Sequence, residues 1–188
     1  WLSCGVDPNT VDVDGDSELG KGAPLLYIAA HQGHVGLIDA LLQSGADVDQ
    51  AHANGWTSLL IAAYEGRLAV VDQLIAAGAE VDKALANGTT PLYIAAQQGH
   101  LAVVTKLIAA GALVDKALTT DGRTPLYIAA QNGHLTVVTK LIAAGADVNK
   151  ATTTDGETPL FMAAQNGHLA VVTKLIVAGA VVDKAETG

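Results

Sequence analysis

The chain has 188 residues, of which 50% are apolar and only 15% are charged. This is enough apolar material for the core of one domain or of two small ones. The net charge of -9 argues against binding to nucleic acid or to an anionic membrane surface, because both require positive protein charge. No apolar run approaches the roughly 20 residues that cross a bilayer.

The first part of the chain contains a run of acidic residues. Carboxylates alternate along this run, at Asp12, Asp14, Asp16 and Glu18. Calcium-binding loops begin with alternating acidic residues, but they need glycine at the sixth position and glutamate at the twelfth. Here glycine is at the fourth position and alanine at the twelfth. The run therefore predicts a solvated acidic loop, with a weak calcium site as the alternative.

Two short markers recur along the rest of the chain. Gly followed by His or Arg begins at Gly33, Gly66, Gly99, Gly133 and Gly167. Gly followed by Ala begins at Gly45, Gly78, Gly111, Gly145 and Gly179. Both series are spaced by 33, 33, 34 and 34 residues. Because two independent markers keep the same spacing, the sequence predicts a tandem repeat array.

The unit that begins at Thr124 shows the predicted elements of one repeat. Thr124 is a suitable N-cap, and Pro125 suits the first position of a short helix. A second helix is predicted from about Leu135 to Ala144, with one apolar stripe. The stripe consists of Leu135, Val138, Leu141 and Ile142. An extended stretch and a tight turn at Asp155-Gly156 follow.

The order Thr-Pro-Leu, Ala-Ala, Gly-His and Gly-Ala-Asp-Val-Asn resembles the ankyrin repeat. The resemblance implies an all-α repeat solenoid of stacked ankyrin repeats, with helix–turn–helix pairs and β-hairpin fingers. It assigns residues 23–188 to five repeats, the last of them truncated in its following finger. Residues 1–22 would be a partial repeat with a long acidic finger loop. Both ends are expected to lie inside a longer array.

The chain departs from the family pattern after Thr-Pro-Leu, where the family usually has histidine. This slot holds Tyr27, Leu60, Tyr93, Tyr127 and Phe161. These side chains are predicted to pack between repeats as a column, with a ligand-facing aromatic strip as the alternative. The last two fingers carry one extra residue, which should change their reach and not the fold.

Residues with catalytic or metal-binding chemistry are better explained by the repeat. One repeat position holds His34, His100, His134 and His168. In a stack these rings are too far apart to share an ion, and each is predicted to bond to loop backbone. His31 and His52 are predicted to be surface residues. Cys4 has no histidine nearby in sequence, and no serine lies in a nucleophile elbow. The sequence predicts no enzyme, no metal and no cofactor.

The resemblance implies that a partner binds the concave face formed by the finger tips and the first helices. Carried over by register, the candidate contact residues are Trp56, Tyr64, Glu65, His52, Asn54, Asn87, Thr89, Gln97, Gln98, Thr120, Asp121, Arg123, Gln131, Asn132, Thr154, Asp155, Glu157, Gln165 and Asn166. Trp56 and Tyr64 belong to the repeat that differs most from the others. They are predicted as a hot spot, because both residue types bury a large area at little entropic cost. The alternative is that Trp56 only covers its finger.

We therefore expect a monomeric, non-enzymatic protein–protein interaction module that binds a protein or an extended peptide. One alternative is a structural spacer within a longer ankyrin array, because the last three repeats are nearly identical. Another is a calcium-responsive array that uses the acidic run. The single cysteine and the lack of a signal-peptide pattern favour the cytoplasm. Delivery into a host cell by a signal outside this sequence is the other location considered.

Overall fold

The computed structural model describes residues 7–11 and 22–182, which contain ten α-helices in five pairs. The acidic run at Asp12, Asp14, Asp16 and Glu18 lies outside the described residues, as does Cys4. The helices are α1 Leu25–Gln32, α2 Val35–Gln43, α3 Ser58–Tyr64, α4 Leu68–Ala76, α5 Pro91–Gln98, α6 Leu101–Ala109, α7 Pro125–Gln131, α8 Leu135–Ala143, α9 Pro159–Gln165 and α10 Leu169–Val177. The first helix of each pair packs on the first helix of the next pair, and the second helices stack likewise.

Threonine side chains cap most of the first helices. The capping residues are Thr57, Thr90, Thr124 and Thr158. Each Oγ1 accepts a hydrogen bond from the backbone N–H three residues later, at 3.1 to 3.3 Å. In α1 the cap is Pro24, which offers no side-chain acceptor. Local capping chemistry therefore sets where these helices begin, as predicted for Thr124 and Pro125.

Replacing Thr124 by alanine is expected to lower the free energy of unfolding by about 1 kcal/mol. Thr124 is 0% exposed, so water cannot replace the bond that its hydroxyl accepts from the Tyr127 N–H. Urea denaturation measures the loss. Thr124→Ser keeps the hydroxyl and is the matched control. If serine destabilises the chain as much as alanine does, the methyl group matters and the cap does not.

The second helices bury a different stripe from the predicted one. The predicted helix from about Leu135 to Ala144 is observed as α8, and Val138 and Leu141 are fully buried. However, Leu135 is 37% exposed, whereas Val137 is fully buried. The helix packs against its own first helix and against the second helices on both sides. Its buried surface is therefore wider than a single stripe and is turned away from Leu135.

The loops that protrude between the pairs, here called fingers, are turns and not strand hairpins. The fingers are residues 52–56, 85–89, 118–123 and 152–157. In each, the N–H of the first residue donates to the carbonyl of the last, at 2.8 to 3.0 Å. The described residues contain only one isolated β-bridge, between Val11 and Pro24. Each repeat has too few residues on either side of the turn to form a β-ladder of paired strands.

The last three fingers are joined to one another by backbone hydrogen bonds. The Thr119 N–H donates to the Asn87 carbonyl at 2.9 Å, and the Thr153 N–H donates to the Asp121 carbonyl at 2.8 Å. The donors belong to the fingers that contain the extra residue. Within the described ranges, no backbone hydrogen bond joins finger 52–56 to finger 85–89. The fingers therefore form one joined group of three and one separate finger.

Side chains at the finger bases tie each repeat to the next. The Asp82 carboxylate accepts the Leu113 N–H with its two oxygens at 3.2 and 3.1 Å. Asp115 accepts the Asp147 N–H at the same distances. Equivalent bonds to the next repeat come from Asn9, Asp49 and Asn149. This ladder fixes the register of the stack from one end to the other.

Candidate interaction surface

The column that follows Thr-Pro-Leu is part of the packing between repeats. Tyr27, Leu60, Tyr93 and Tyr127 are at most 7% exposed. The packing prediction is confirmed for these four residues. Phe161, in the last described helix pair, is 42% exposed, because no described repeat follows it. The surface formed by the fingers and the first helices, here called the inner face, therefore presents few aromatic rings.

Trp56 and Tyr64 lie against each other on the inner face. Their ring centroids are 5.9 Å apart, and the rings meet edge to face at 83°. Tyr64 is 42% exposed, whereas Trp56 is partly buried and packs against the core. The Asn54 side chain accepts the Trp56 N–H at 3.1 Å, which fixes the tryptophan backbone at the end of its finger. The structure thus brings the two predicted hot-spot residues together.

A groove opens beside this aromatic pair. Its volume is about 330 Å³, and it is lined by Trp56, Tyr64, Leu85, Asn87, Thr89, Tyr93, Ile94, Gln97 and Leu118. The groove lies where finger 52–56 is not joined to finger 85–89. It is small for a ligand pocket, so it suits one or two side chains of a larger partner. Its apolar wall carries amide groups from Asn87 and Gln97.

A second polar group lies further along the inner face, around Tyr127. Its hydroxyl donates to Glu157 Oε2 at 2.7 Å, and the Arg123 guanidinium lies 5.4 Å from the ring centroid. Arg123 Nε is also 3.3 Å from Asp121 Oδ2. The structure therefore brings three predicted contact residues into one cluster. The charged groups of these three residues interact mainly with each other and with Tyr127.

The other predicted contact residues differ in exposure. The exposed ones are Asn54, Asn87, Gln98, Thr120, Asn132, Thr154, Asp155, Gln165 and Asn166. His52, Glu65, Gln97 and Gln131 are partly exposed. Thr89 is only 8% exposed, and its hydroxyl donates to the Asn87 side chain at 2.7 Å. Thr89 stabilises its own finger, because the turn folds its hydroxyl back onto Asn87.

Comparison with known families agrees with this architecture. A family model for ankyrin repeats (3 copies) matches residues 1–84, 68–152 and 92–186. The chain belongs to the ankyrin repeat family. Ankyrin repeats are generally protein–protein interaction modules, and the family is typically non-enzymatic. A search of curated proteins gives no match.

Three of the four repeat-equivalent histidines link consecutive ankyrin repeats, through carbonyls at helix ends and not through the loop backbone that the sequence predicts. Nε2 of His100 is 2.9 Å from the Tyr64 carbonyl, and Nε2 of His134 and of His168 are each 3.0 Å from the carbonyls of Gln97 and Gln131. An Nε2–H group donates in each case, so each ring caps the first helix of the preceding repeat. Across residues 7–11 and 22–182, no three or more His, Cys, Asp or Glu side chains are grouped to hold a metal ion. Nor does any helix there have the length and hydropathy to cross a bilayer.

The two remaining histidines lie at the surface, as predicted, but they make specific contacts. The His52 ring stacks on Tyr27 with centroids 5.4 Å apart, and its Nδ1 accepts the Asn54 N–H at 3.2 Å. His31 Nε2 is 3.5 Å from a Glu65 carboxylate oxygen. Both residues are partly exposed at the surface, and each also contacts a neighbouring ankyrin repeat. Repeat spacing alone does not show these contacts, since neither histidine recurs along the chain.

Alkaline pH is expected to destabilise the array partly through Tyr93. Burial raises the pKa of its hydroxyl from the usual 10.0 to about 12. The unfolded chain loses this proton more easily, so the associated stability is complete below pH 10 and is lost as the pH rises to 12. Tyr93→Phe should reduce the fall of Tm over that window, measured by thermal unfolding. Tyr64→Phe, which removes an exposed hydroxyl, is the control, and an unchanged profile in Tyr93→Phe would contradict the assignment.

Proposed function

We propose that this ankyrin array binds a protein or an extended peptide on its inner face, with the Trp56–Tyr64 groove as the main contact. The observation that carries the proposal is Tyr64, a 42% exposed aromatic side chain packed beside Trp56 at an apolar groove. In the three following repeats, the position of Tyr64 holds Gln97, Gln131 and Gln165. Aromatic anchors at apolar grooves commonly carry most of the energy of an interface.

The fingers are held in fixed conformations and would present their contact residues to a partner without rearrangement. Each finger is closed by a backbone bond, and an Asn or Asp side chain braces several of them from within. Asn87 accepts the Thr89 N–H and Asp121 accepts the Arg123 N–H, both at 3.1 Å. Binding therefore needs to order little of the receptor, which reduces the entropic cost of association.

We also propose that the array is monomeric and works in the cytoplasm. The single cysteine supports this location, since the chain forms no internal disulfide and needs no oxidising compartment. The net charge of -9 favours a partner that is neutral or basic.

Replacing Tyr64 by alanine is expected to weaken partner binding by about 1–2 kcal/mol. The exposed ring contributes little to the core, so the Tm should stay close to that of the unchanged chain. Affinity capture from lysate, followed by titration of the captured protein, measures the effect. Leu113→Ala is the control, because Leu113 is 59% exposed and does not line the groove. Trp56→Ala is less suitable, since Trp56 also packs against the core.

Two outcomes would contradict this assignment. Equal capture by the Tyr64 variant and by the unchanged chain would move the site to other fingers. Capture of nothing by the unchanged chain would favour the spacer alternative. That alternative is supported by the repeated helix sequence, since residues 103–110 and 137–144 are identical.

A further inference from the structure

We propose that the segment bound on the inner face is a basic, proline-rich stretch in the polyproline II conformation. The inference rests on the proposed function and names the chemistry of the partner at the same groove. Two observations carry it, the groups that line the inner face and the charge of that face, together with the general spacing of packed helices.

The spacing of the repeats matches one ligand conformation. Neighbouring packed helices lie about 8–10 Å apart. Polyproline II has three residues per turn and a rise of 3.1 Å per residue, so it advances about 9 Å per turn. Such a segment presents the same side to every repeat that it passes. A β-strand also covers this distance in about three residues, but its side chains alternate between two faces. It would therefore turn opposite faces to successive repeats.

One glutamine per repeat is available for such a ligand. Gln97, Gln131 and Gln165 occupy the same position in successive repeats, at the ends of α5, α7 and α9. The Asn132 and His134 side chains already bond to the Gln97 backbone carbonyl, at 2.9 and 3.0 Å. The backbone carbonyl is therefore occupied, which leaves contact with a partner to the side-chain amides.

The Gln131 amide supplies the clearest unused group. Its Oε1 atom is buried and has no hydrogen-bond partner among the described residues. Polyproline II has no internal hydrogen bonds, so its backbone N–H and carbonyl groups are free to pair with side chains. Because this oxygen is buried, a backbone N–H between the prolines would reach it only if the Gln131 side chain turned outward. Equivalent bonds at Gln97 and Gln165 would continue with the same period.

The groove supplies the surface on which proline rings pack. Proline-rich segments dock into grooves lined by aromatic side chains. Here Trp56, Tyr64 and Tyr93 line the groove together with Leu85 and Leu118. A volume of about 330 Å³ accommodates one or two small rings. The groove is thus an entry point, and the glutamines extend the contact along the stack.

Charge determines the flanking residues of the partner. The charged side chains of the fingers and first helices, with the residue that ends each helix, are Glu65, Asp121, Arg123, Asp155 and Glu157. Carboxylates outnumber the single guanidinium four to one, and the whole chain carries -9. Lysine or arginine residues beside the prolines would complement this surface and increase the association rate.

A random peptide library selected on the full chain tests the inference. We expect peptides whose affinity falls about five- to thirtyfold on Tyr64→Ala and is unchanged on Leu113→Ala. They should be enriched in prolines that recur every third position and in flanking Lys or Arg. Replacing a recurring proline by alanine should weaken binding severalfold, and added salt should weaken it further.

The possible outcomes separate this inference from the proposed function. Selected peptides that depend on Tyr64 but show no enrichment of proline or of basic residues overturn the inference and leave the function in place. Peptides that bind equally well to the Tyr64 variant overturn both. Recovery of no peptide from the library overturns the inference, since the groove then binds no linear segment, and leaves a folded protein as the partner in the proposed function.

Discussion

Leu126→Ala is expected to lower the free energy of unfolding by about 2–5 kcal/mol. Leu126 lies in α7, is 0% exposed and is among the largest fully buried side chains. Its helix packs against α5 on one side, α9 on the other and α8 behind it. Because well-packed helices surround the site, the cavity left by the substitution cannot collapse fully. Urea denaturation, followed by circular dichroism, measures the change.

Leu101→Ala provides the matched control for this cavity. Leu101 is the same residue type in a neighbouring repeat, but it is 38% exposed. Its replacement should cost less than about 1 kcal/mol, because little apolar surface returns to water. Equal losses in the two variants would contradict the packing described for α7. A second unfolding transition in Leu126→Ala would show that the stack breaks at the weakened repeat, since each repeat contacts only its neighbours.

Gly88→Ala is expected to cost about 2–4 kcal/mol, from backbone strain and from the loss of one backbone hydrogen bond. Gly88 has a φ of 87°, and a Cβ atom there would lie 2.8 Å from the Thr119 backbone nitrogen. Backbone atoms cannot turn aside as a flexible side chain can. The substitution should therefore push finger 118–123 away and break the bond between Thr119 and Asn87. Thermal and urea unfolding measure the loss.

Gly111→Ala separates the two contributions to this effect. Gly111 has a nearly equal φ of 91°, but no atom lies within 4 Å of the added Cβ. It should show only the strain of a left-handed alanine, about 1–2 kcal/mol. The difference between the two variants then measures what the contact between fingers contributes. No difference would show that the fingers separate without loss of stability.

The repeat architecture can be predicted from the sequence because its determinants are local. Thr124 and Pro125 specify where α7 begins, and the observed end of α8 differs from the predicted one by a single residue. The extra residue in the last two fingers is visible by counting. These features depend on capping, turn chemistry and periodicity, which each segment carries within itself.

Contacts between repeats are harder to predict, because they depend on the distance between packed repeats, which no single segment specifies. Register alone predicts that Trp56 and Tyr64 share a face, but not that their rings meet edge to face. The stacking of His52 on Tyr27 is of the same kind. The groove itself exists because one pair of fingers is not joined, a relation that neither finger shows when taken alone.

The uneven joining of the fingers also has a mechanical consequence. The last three fingers are joined by backbone bonds, and Asn132 and Asn166 add bonds to the carbonyls of Gln97 and Gln131. Within the described residues, no backbone bond joins finger 52–56 to finger 85–89, and the helix ends of that pair are linked by the His100 ring on the Tyr64 carbonyl. Under tension along its axis, the array should therefore stretch first at this compliant joint, beside Tyr64. A ligand bound across the groove would connect the two fingers and stiffen this joint. The force needed to extend the array would then increase with occupancy of the groove.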